Sequence, residues 1–307
     1  MGRIAIINKP EISAIYFALL QCGYDFYAIE KDASLIESIE GFRNAASGFD
    51  DSFFSKVRQN TCEVYPYWPR AAALETATYY LHKDSLGFSD YDAYKKSIMN
   101  ATNVSDVERD EDFWEWVIDF PVALKRVLES SDFISYLDWE NAWVSQQNHL
   151  WKSDLQHIQR VLNTCMKNYS SPIQTVSIVL NPIKCTYSSD HFINNDELNF
   201  TSGVFRMESV LHEFLHHVVH PFVSKHKQAV MKCQMPYPDI DGSYYLGGDE
   251  NGKLNAFEEY VVRMLTSEDS ALSFPADLDW YVNGILSDLG HFFAEASCSN
   301  DKVRRRN

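Results

Sequence analysis

The stretch from Ser209 to Pro221 reads SVLHEFLHHVVHP, and four of its thirteen residues are histidines. Residues four apart on an α-helix lie one turn above each other with Cβ atoms about 5–6 Å apart, so His212 and His216 can converge on one ion. Glu213 lies about 100° further round the helix, close enough to reach a water molecule held by that ion. The spacing predicts a metal site, and a helix that is merely rich in histidine is the alternative.

The residues around these histidines predict an amphipathic helix. Its apolar face is formed by residues at helical spacing, Leu211, Phe214, Leu215, Val218 and Val219. Both histidines and Glu213 fall on the opposite, polar face. We expect Thr201 and Ser202 to supply capping hydroxyls and Pro221 to end the helix.

The bulk properties of the chain exclude several classes of protein. It has 307 residues, of which 45% are hydrophobic, enough to build a sizeable core. Its formal charge of −16 repels nucleic acids and anionic lipid surfaces, so neither is an expected partner. We find no secretion signal and no run of about 18 apolar residues that could span a membrane. The six cysteines are widely separated, which favours reduced thiols in a soluble, cytoplasmic protein. No feature of the sequence defines an oligomeric state.

The spacing of the apolar residues changes near residue 170 and indicates two regions of the chain. Residues 10–170 are helical in pattern, as in AAALETATYYLHK, EDFWEWVIDF and the long ENAWVSQQNHLWKSDLQHIQRVLNTCMKNY, and only RIAII near the start resembles a strand. From residue 171 onward, IQTVSIVLNP and ELNFTSG have the texture of strands, and KLNAFEEYVVRML and DLDWYVNGILSDLGHFFAEA that of helices. We therefore predict an α+β fold that is mostly α, with a helical region at 1–170 and a second region with a small sheet at 171–307.

The pentapeptide HEFLH resembles the active-site helix of the zincin metallopeptidases. The metzincin branch is excluded because Val219 and Phe222 stand where it has Gly and His. The gluzincin branch, which includes the thermolysin-like peptidases, takes its third metal ligand from a glutamate on a later helix. The resemblance implies a Zn²⁺ ion held by two histidines and one glutamate, Glu213 as general base, and a peptide or protein substrate. It also implies that ELNFTSG is the edge strand that pairs with an extended substrate.

Two adjacent glutamates, Glu258 and Glu259, can supply that third ligand. The apolar stripe of their helix is set by Leu254, Phe257, Val261 and Leu265. At about 100° per residue, Glu258 lies about 60° from the centre of this stripe and Glu259 about 160° from it. The histidines also lie opposite an apolar stripe, so we predict Glu259 as the ligand, with Glu258 as the alternative. Arg263, one turn later, can hold the Glu259 carboxylate.

The sequence offers further candidates for catalysis or metal binding, on weaker grounds. Tyr244 and Tyr245 are candidates for stabilising an oxyanion, and His291 for donating to the transition state. His217 and His220 flank the histidine pair, but three turns of one helix cannot close round an ion at about 2.0–2.1 Å. The functional alternative from another class is a zincin-fold protein that binds partners without catalysis.

Overall fold

The computed structural model describes residues 2–24, 31–43, 52–59, 122–186, 189–194, 196–232 and 250–266, with single positions at 119, 283, 284 and 287. These residues are mostly helical and include a small mixed sheet of four strands. The predicted α+β class with mostly α structure is therefore confirmed. Two predicted N-terminal helices, at 71–83 and 111–120, and the predicted helix at 277–296 lie essentially outside the described residues.

The secondary structure follows the chain in this order: β1 Arg3–Ile7, α1 Pro10–Gln21, α2 Ala33–Glu40, α3 Ser52–Gln59, α4 Ser131–Leu150, α5 Lys152–Asn168, β2 Thr175–Leu180, β3 Asp190–Asn194, β4 Glu197–Ser202, α6 Met207–Lys225, α7 Lys227–Lys232 and α8 Glu250–Thr266. Residues 122–128 are also helical. The strands predicted at RIAII, IQTVSIVLNP and ELNFTSG correspond to β1, β2 and β4. The long helix predicted from residue 140 is two helices, because the backbone leaves the helical conformation at Trp151.

The chain forms two compact units, and each takes residues from both sides of the predicted boundary near residue 170. The first comprises residues 1–4, 152–175 and 206–307, and the second comprises 5–151 and 176–205. The difference arises because α5 packs against α6, and because β1 shares a sheet with strands that follow residue 170.

In the second unit, α1 forms the centre of the core. Every residue from Ile12 to Leu20 is buried. A helix that is apolar all round must be covered on every side, and α1 is covered by aromatic side chains of α4 among others. Phe17, for example, lies 5.6 Å from the ring of Phe133 and 5.4 Å from that of Tyr136.

The sheet has the strand order β1-β2-β4-β3. β3 and β4 are antiparallel, with Asp190 opposite Thr201 and Asn194 opposite Glu197. β4 thus lies between two other strands, and the prediction that it is an edge strand is wrong. The reason is β3, which the sequence did not reveal: its polar residues give it a low β-propensity, but it pairs along the whole of β4.

A carboxylate is enclosed in the core of the second unit. Glu140 is fully buried and accepts hydrogen bonds from the hydroxyls of Ser13 and Tyr136 and from the amides of Asn8 and Asn181, at 2.5–3.3 Å. Burial raises the pKa of Glu140 to about 7, although the four donors act in the opposite direction. Burial therefore favours the protonated form of Glu140 relative to that of an exposed glutamate.

Helix α6, the central element of the first unit, differs from its prediction at both ends. Thr201 and Ser202 belong to β4, and the N-cap residue is Arg206, whose side chain makes no capping bond. Pro221 lies inside the helix, which continues to Lys225. A proline in a helix costs about 3 kcal/mol. The next two residues, Phe222 and Val223, are only 7% and 2% exposed, and burying two such side chains contributes roughly 3–6 kcal/mol. Their burial explains why the helix does not end at the proline.

None of the described helices has the combination of length and hydropathy that a membrane span requires.

Candidate metal centre

The two helices that carry the predicted ligands, α6 and α8, lie in the first unit and pack against each other. The predicted apolar face of α6 is buried at all five positions: Leu211, Phe214, Leu215, Val218 and Val219. On α8, Phe257, Val261 and Leu265 are buried, while Leu254 is only partly buried. Burial of these faces fixes both helices, and the polar side chains beside them meet where the helices are in contact.

Three side-chain atoms converge at this contact. Nε2 of His212 lies 3.3 Å from Nε2 of His216. Oε2 of Glu259 lies 3.3 Å from the first of these nitrogens and 3.1 Å from the second. The structure therefore brings together the three side chains predicted as ligands, and it forms a nearly equilateral triangle from one atom of each.

This triangle can be compared with the geometry of a tetrahedral zinc site. Zinc binds histidine nitrogen at about 2.0–2.1 Å, and a tetrahedron with bonds of that length places its ligand atoms about 3.3–3.4 Å apart. The three edges measured here, 3.3, 3.3 and 3.1 Å, lie within about 0.3 Å of that value. The separations of the three atoms are therefore those of a group that could hold a metal ion.

Glu259 is held by a second group besides the histidines. Arg263 donates from Nε to Oε1 of Glu259 at 2.5 Å, so each carboxylate oxygen has its own partner. Burial opposes ionisation of Glu259, but hydrogen bonds from His212, His216 and Arg263 outweigh it and hold its pKa well below its usual range. The carboxylate is therefore ionised, as a metal ligand must be. The contact with Arg263 was anticipated from the spacing of four residues.

Glu258 occupies a different place from Glu259. Its Oε1 lies 2.9 Å from Nδ1 of His216, on the side of the ring away from the triangle, and its Oε2 lies 2.7 Å from Nδ1 of His220. Glu258 is thus next to the converging atoms but contributes none of them. The sequence presented it only as an alternative ligand. Two features of the sequence pointed to this contact with His216 and His220. Glu258 lies near the apolar stripe of its helix, which predicts burial, and the two histidines are four residues apart.

The charges at the site favour a cation where the three atoms converge. Burial lowers the pKa of His216, but its hydrogen bonds and charge interactions with Glu258 and Glu259 are stronger together and raise it to about 9. The two carboxylates thus favour the positively charged form of His216. Two carboxylates that stabilise a proton at this position also stabilise a metal ion there.

The remaining predicted residues fall into two groups. Glu213 is half-buried on α6 and, one residue after His212, lies about 100° round the helix from it. His217 and His220 are on the same helix but do not belong to the converging group in the described part of the chain. Tyr244, Tyr245 and His291 lie outside the described residues.

Comparisons of the chain with family models, with curated proteins and with solved structures gave no match in any of the three.

Proposed function

We propose that this chain is a zinc-dependent hydrolase of peptide bonds, with His212, His216 and Glu259 as the metal ligands and Glu213 as the general base. The observation that carries the proposal is the triangle of two nitrogens and one oxygen, whose edges of 3.1–3.3 Å match the edges of a tetrahedral zinc site. Its resemblance to the gluzincin ligand set, with two histidines of an HExxH helix and a glutamate of a later helix, agrees with this assignment.

The kind and number of ligands favour catalysis over a structural role for the metal. Structural zinc sites have four protein ligands and are rich in cysteine, whereas catalytic sites have three protein ligands and leave one position open. Among the described residues the group contains two histidines and one glutamate, with no cysteine. A zinc ion held by His212, His216 and Glu259 would lower the pKa of a bound water molecule toward about 7 and would polarise a carbonyl group.

The side chains of the protein perform the remaining steps. Glu213 accepts a proton from the attacking water and passes it to the leaving amine, which requires a carboxylate near the metal but not bound to it. The observation that supports this role is that Glu213 directly follows His212 on α6. Arg263 holds Oε1 of Glu259, which leaves Oε2 directed at the histidine nitrogens. The substrate class is a peptide or protein.

Metal analysis combined with a peptide-cleavage assay tests this proposal. The full chain is purified, its zinc content is measured, and it is incubated with a mixed peptide library with and without a chelator. We expect about one zinc ion per chain and cleavage that stops with the chelator and returns when zinc is added. Zinc without cleavage would refute the hydrolase and favour a binding protein. Failure to bind zinc would refute the metal site itself.

A further inference from the structure

Glu258 joins two histidines that have different surroundings. His216 is half-buried and directs Nε2 into the triangle of converging atoms, whereas the side chain of His220 is 63% exposed. The two residues are four apart on α6, so they lie on one face of the helix, one turn apart. A single carboxylate from α8 spans that turn, with one oxygen on each Nδ1 atom, at 2.9 and 2.7 Å.

We propose that Glu258 is a positioning residue that fixes the ring of His216 for metal binding, and that His220 influences the metal only through Glu258. This inference rests on the proposed zinc site. Glu258 and His220, the latter on the surface, thereby have roles at the site although neither is a ligand.

The orientation of the His216 ring carries the first half of the inference. An imidazole that binds a metal through Nε2 keeps its hydrogen on Nδ1, and a good acceptor there fixes both the tautomer and the ring plane. Glu258 Oε1 lies at 2.9 Å from this nitrogen. Rotation of the ring would break this hydrogen bond and move Nε2 out of the triangle, so loss of Glu258 should reduce metal affinity.

The burial of Glu258 carries the second half. Its side chain is only 11% exposed, and a buried carboxylate is costly unless both oxygens accept hydrogen bonds. His220 provides the bond to Oε2 and thereby holds the carboxylate in the rotamer that reaches His216. His220 makes no contact with the three converging atoms that the structure shows, so its effect on the metal should disappear when Glu258 is absent.

A double-mutant cycle on the full chain tests both halves. Affinity for Zn²⁺ is measured by competition with a chromophoric chelator in Glu258→Ala, Glu258→Gln, His220→Ala and the double variant Glu258→Ala with His220→Ala. Glu129→Gln is the control, because it removes a carboxylate that is 67% exposed in the other compact unit. The thermal midpoint of each metal-free protein is recorded as well, since a purely structural role would change that midpoint and leave zinc affinity unaltered.

We expect Glu258→Ala to weaken zinc binding about 10- to 100-fold, the usual range for partners of metal ligands. Glu258→Gln should lose less, because its amide oxygen can still accept from His216. His220→Ala should also lose less, and the double variant should be no weaker than Glu258→Ala alone. Unchanged affinity in both Glu258 variants overturns the positioning role, and additive losses in the double variant overturn the indirect role of His220. If the unaltered protein binds no zinc, the proposed function fails as well, and this outcome is distinct from the other two.

Discussion

Glu259→Gln is the most direct test of the zinc site, because it changes one oxygen and one charge and leaves the shape of the side chain intact. The carboxylate interacts with His212, His216 and Arg263. Hydrogen bonds to charged groups contribute about 1.5–3 kcal/mol each, so the metal-free variant should be less stable than the unaltered protein. The absolute melting temperature therefore does not decide the question, and the rise in melting temperature on adding zinc does.

The size of that rise follows from mass action. Free zinc at 100 times the dissociation constant stabilises the native state by about 2.7 kcal/mol. With an unfolding entropy of about 2.1 cal/mol/K per residue, this corresponds for a chain of 307 residues to a rise of roughly 4 °C in the melting temperature. We expect that rise in the unaltered protein and in the control Glu129→Gln, and no measurable rise in Glu259→Gln at the same free zinc.

Glu258→Gln separates the two neighbouring glutamates in the same assay. Glu258→Gln should lose less affinity than Glu258→Ala. If its zinc affinity falls by no more than about 10-fold, the same free zinc still stabilises it by about 1.4 kcal/mol or more, and more zinc restores the full rise. Thermal melts in zinc buffers of defined free concentration measure all four proteins. A full rise in Glu259→Gln together with none in Glu258→Gln would reverse the ligand assignment. A full rise in melting temperature in both variants would refute the gluzincin arrangement of ligands.

The remaining predictions concern the general base, the histidines and the buried carboxylate. Glu213→Gln should keep its zinc content and its fold while peptide cleavage falls to background, because the residue acts on water and not on the ion; retained cleavage would contradict the mechanism. His212→Ala and His216→Ala should each lose zinc and its contribution to thermal stability, and normal zinc content in both would mean that the helix is only rich in histidine. Glu140→Gln should alter how stability depends on pH. The pKa of Glu140 is raised to about 7 in the folded protein, so its protonated form is favoured there, and the contribution is fully present below the unfolded value of 4.5 and is lost as pH rises through about 7. We expect the free energy of unfolding of the unaltered protein, relative to that of the variant, to fall by up to about 3 kcal/mol between pH 4.5 and 7. Urea titrations at several pH values measure this free energy for both proteins. If the two plots of free energy against pH are parallel, the reasoning is refuted.

Local periodicity indicated which helix face carries the histidines and which glutamate lies opposite the apolar stripe of its helix. A helix repeats every 3.6 residues whatever surrounds it, so the spacing of four put His212 and His216 on one face. The same angular argument placed Glu259 opposite the apolar stripe of α8, and its Oε2 lies 3.1 Å from His216. Three strands and the predominance of helix were predictable for the same reason, since alternation and helical spacing are properties of short segments.

Features that depend on distant segments were not predictable. Whether α6 ends at Pro221 or continues depended on the burial of Phe222 and Val223, which the sequence of the helix alone does not specify. Likewise, β4 was expected at the edge of the sheet because its own residues contain no information about β3.

The sequence by itself thus determined which side chains share a helix face, because that depends only on backbone geometry over a few residues. The tertiary structure alone decided that Oε2 of Glu259, 43 positions beyond His216, meets both histidines, and that Glu258 links His216 to His220. These contacts are fixed by how α6 and α8 pack, and that packing is driven by burial of apolar area. Burial of apolar area is non-directional and depends on all the elements that share a core, so no short segment encodes it.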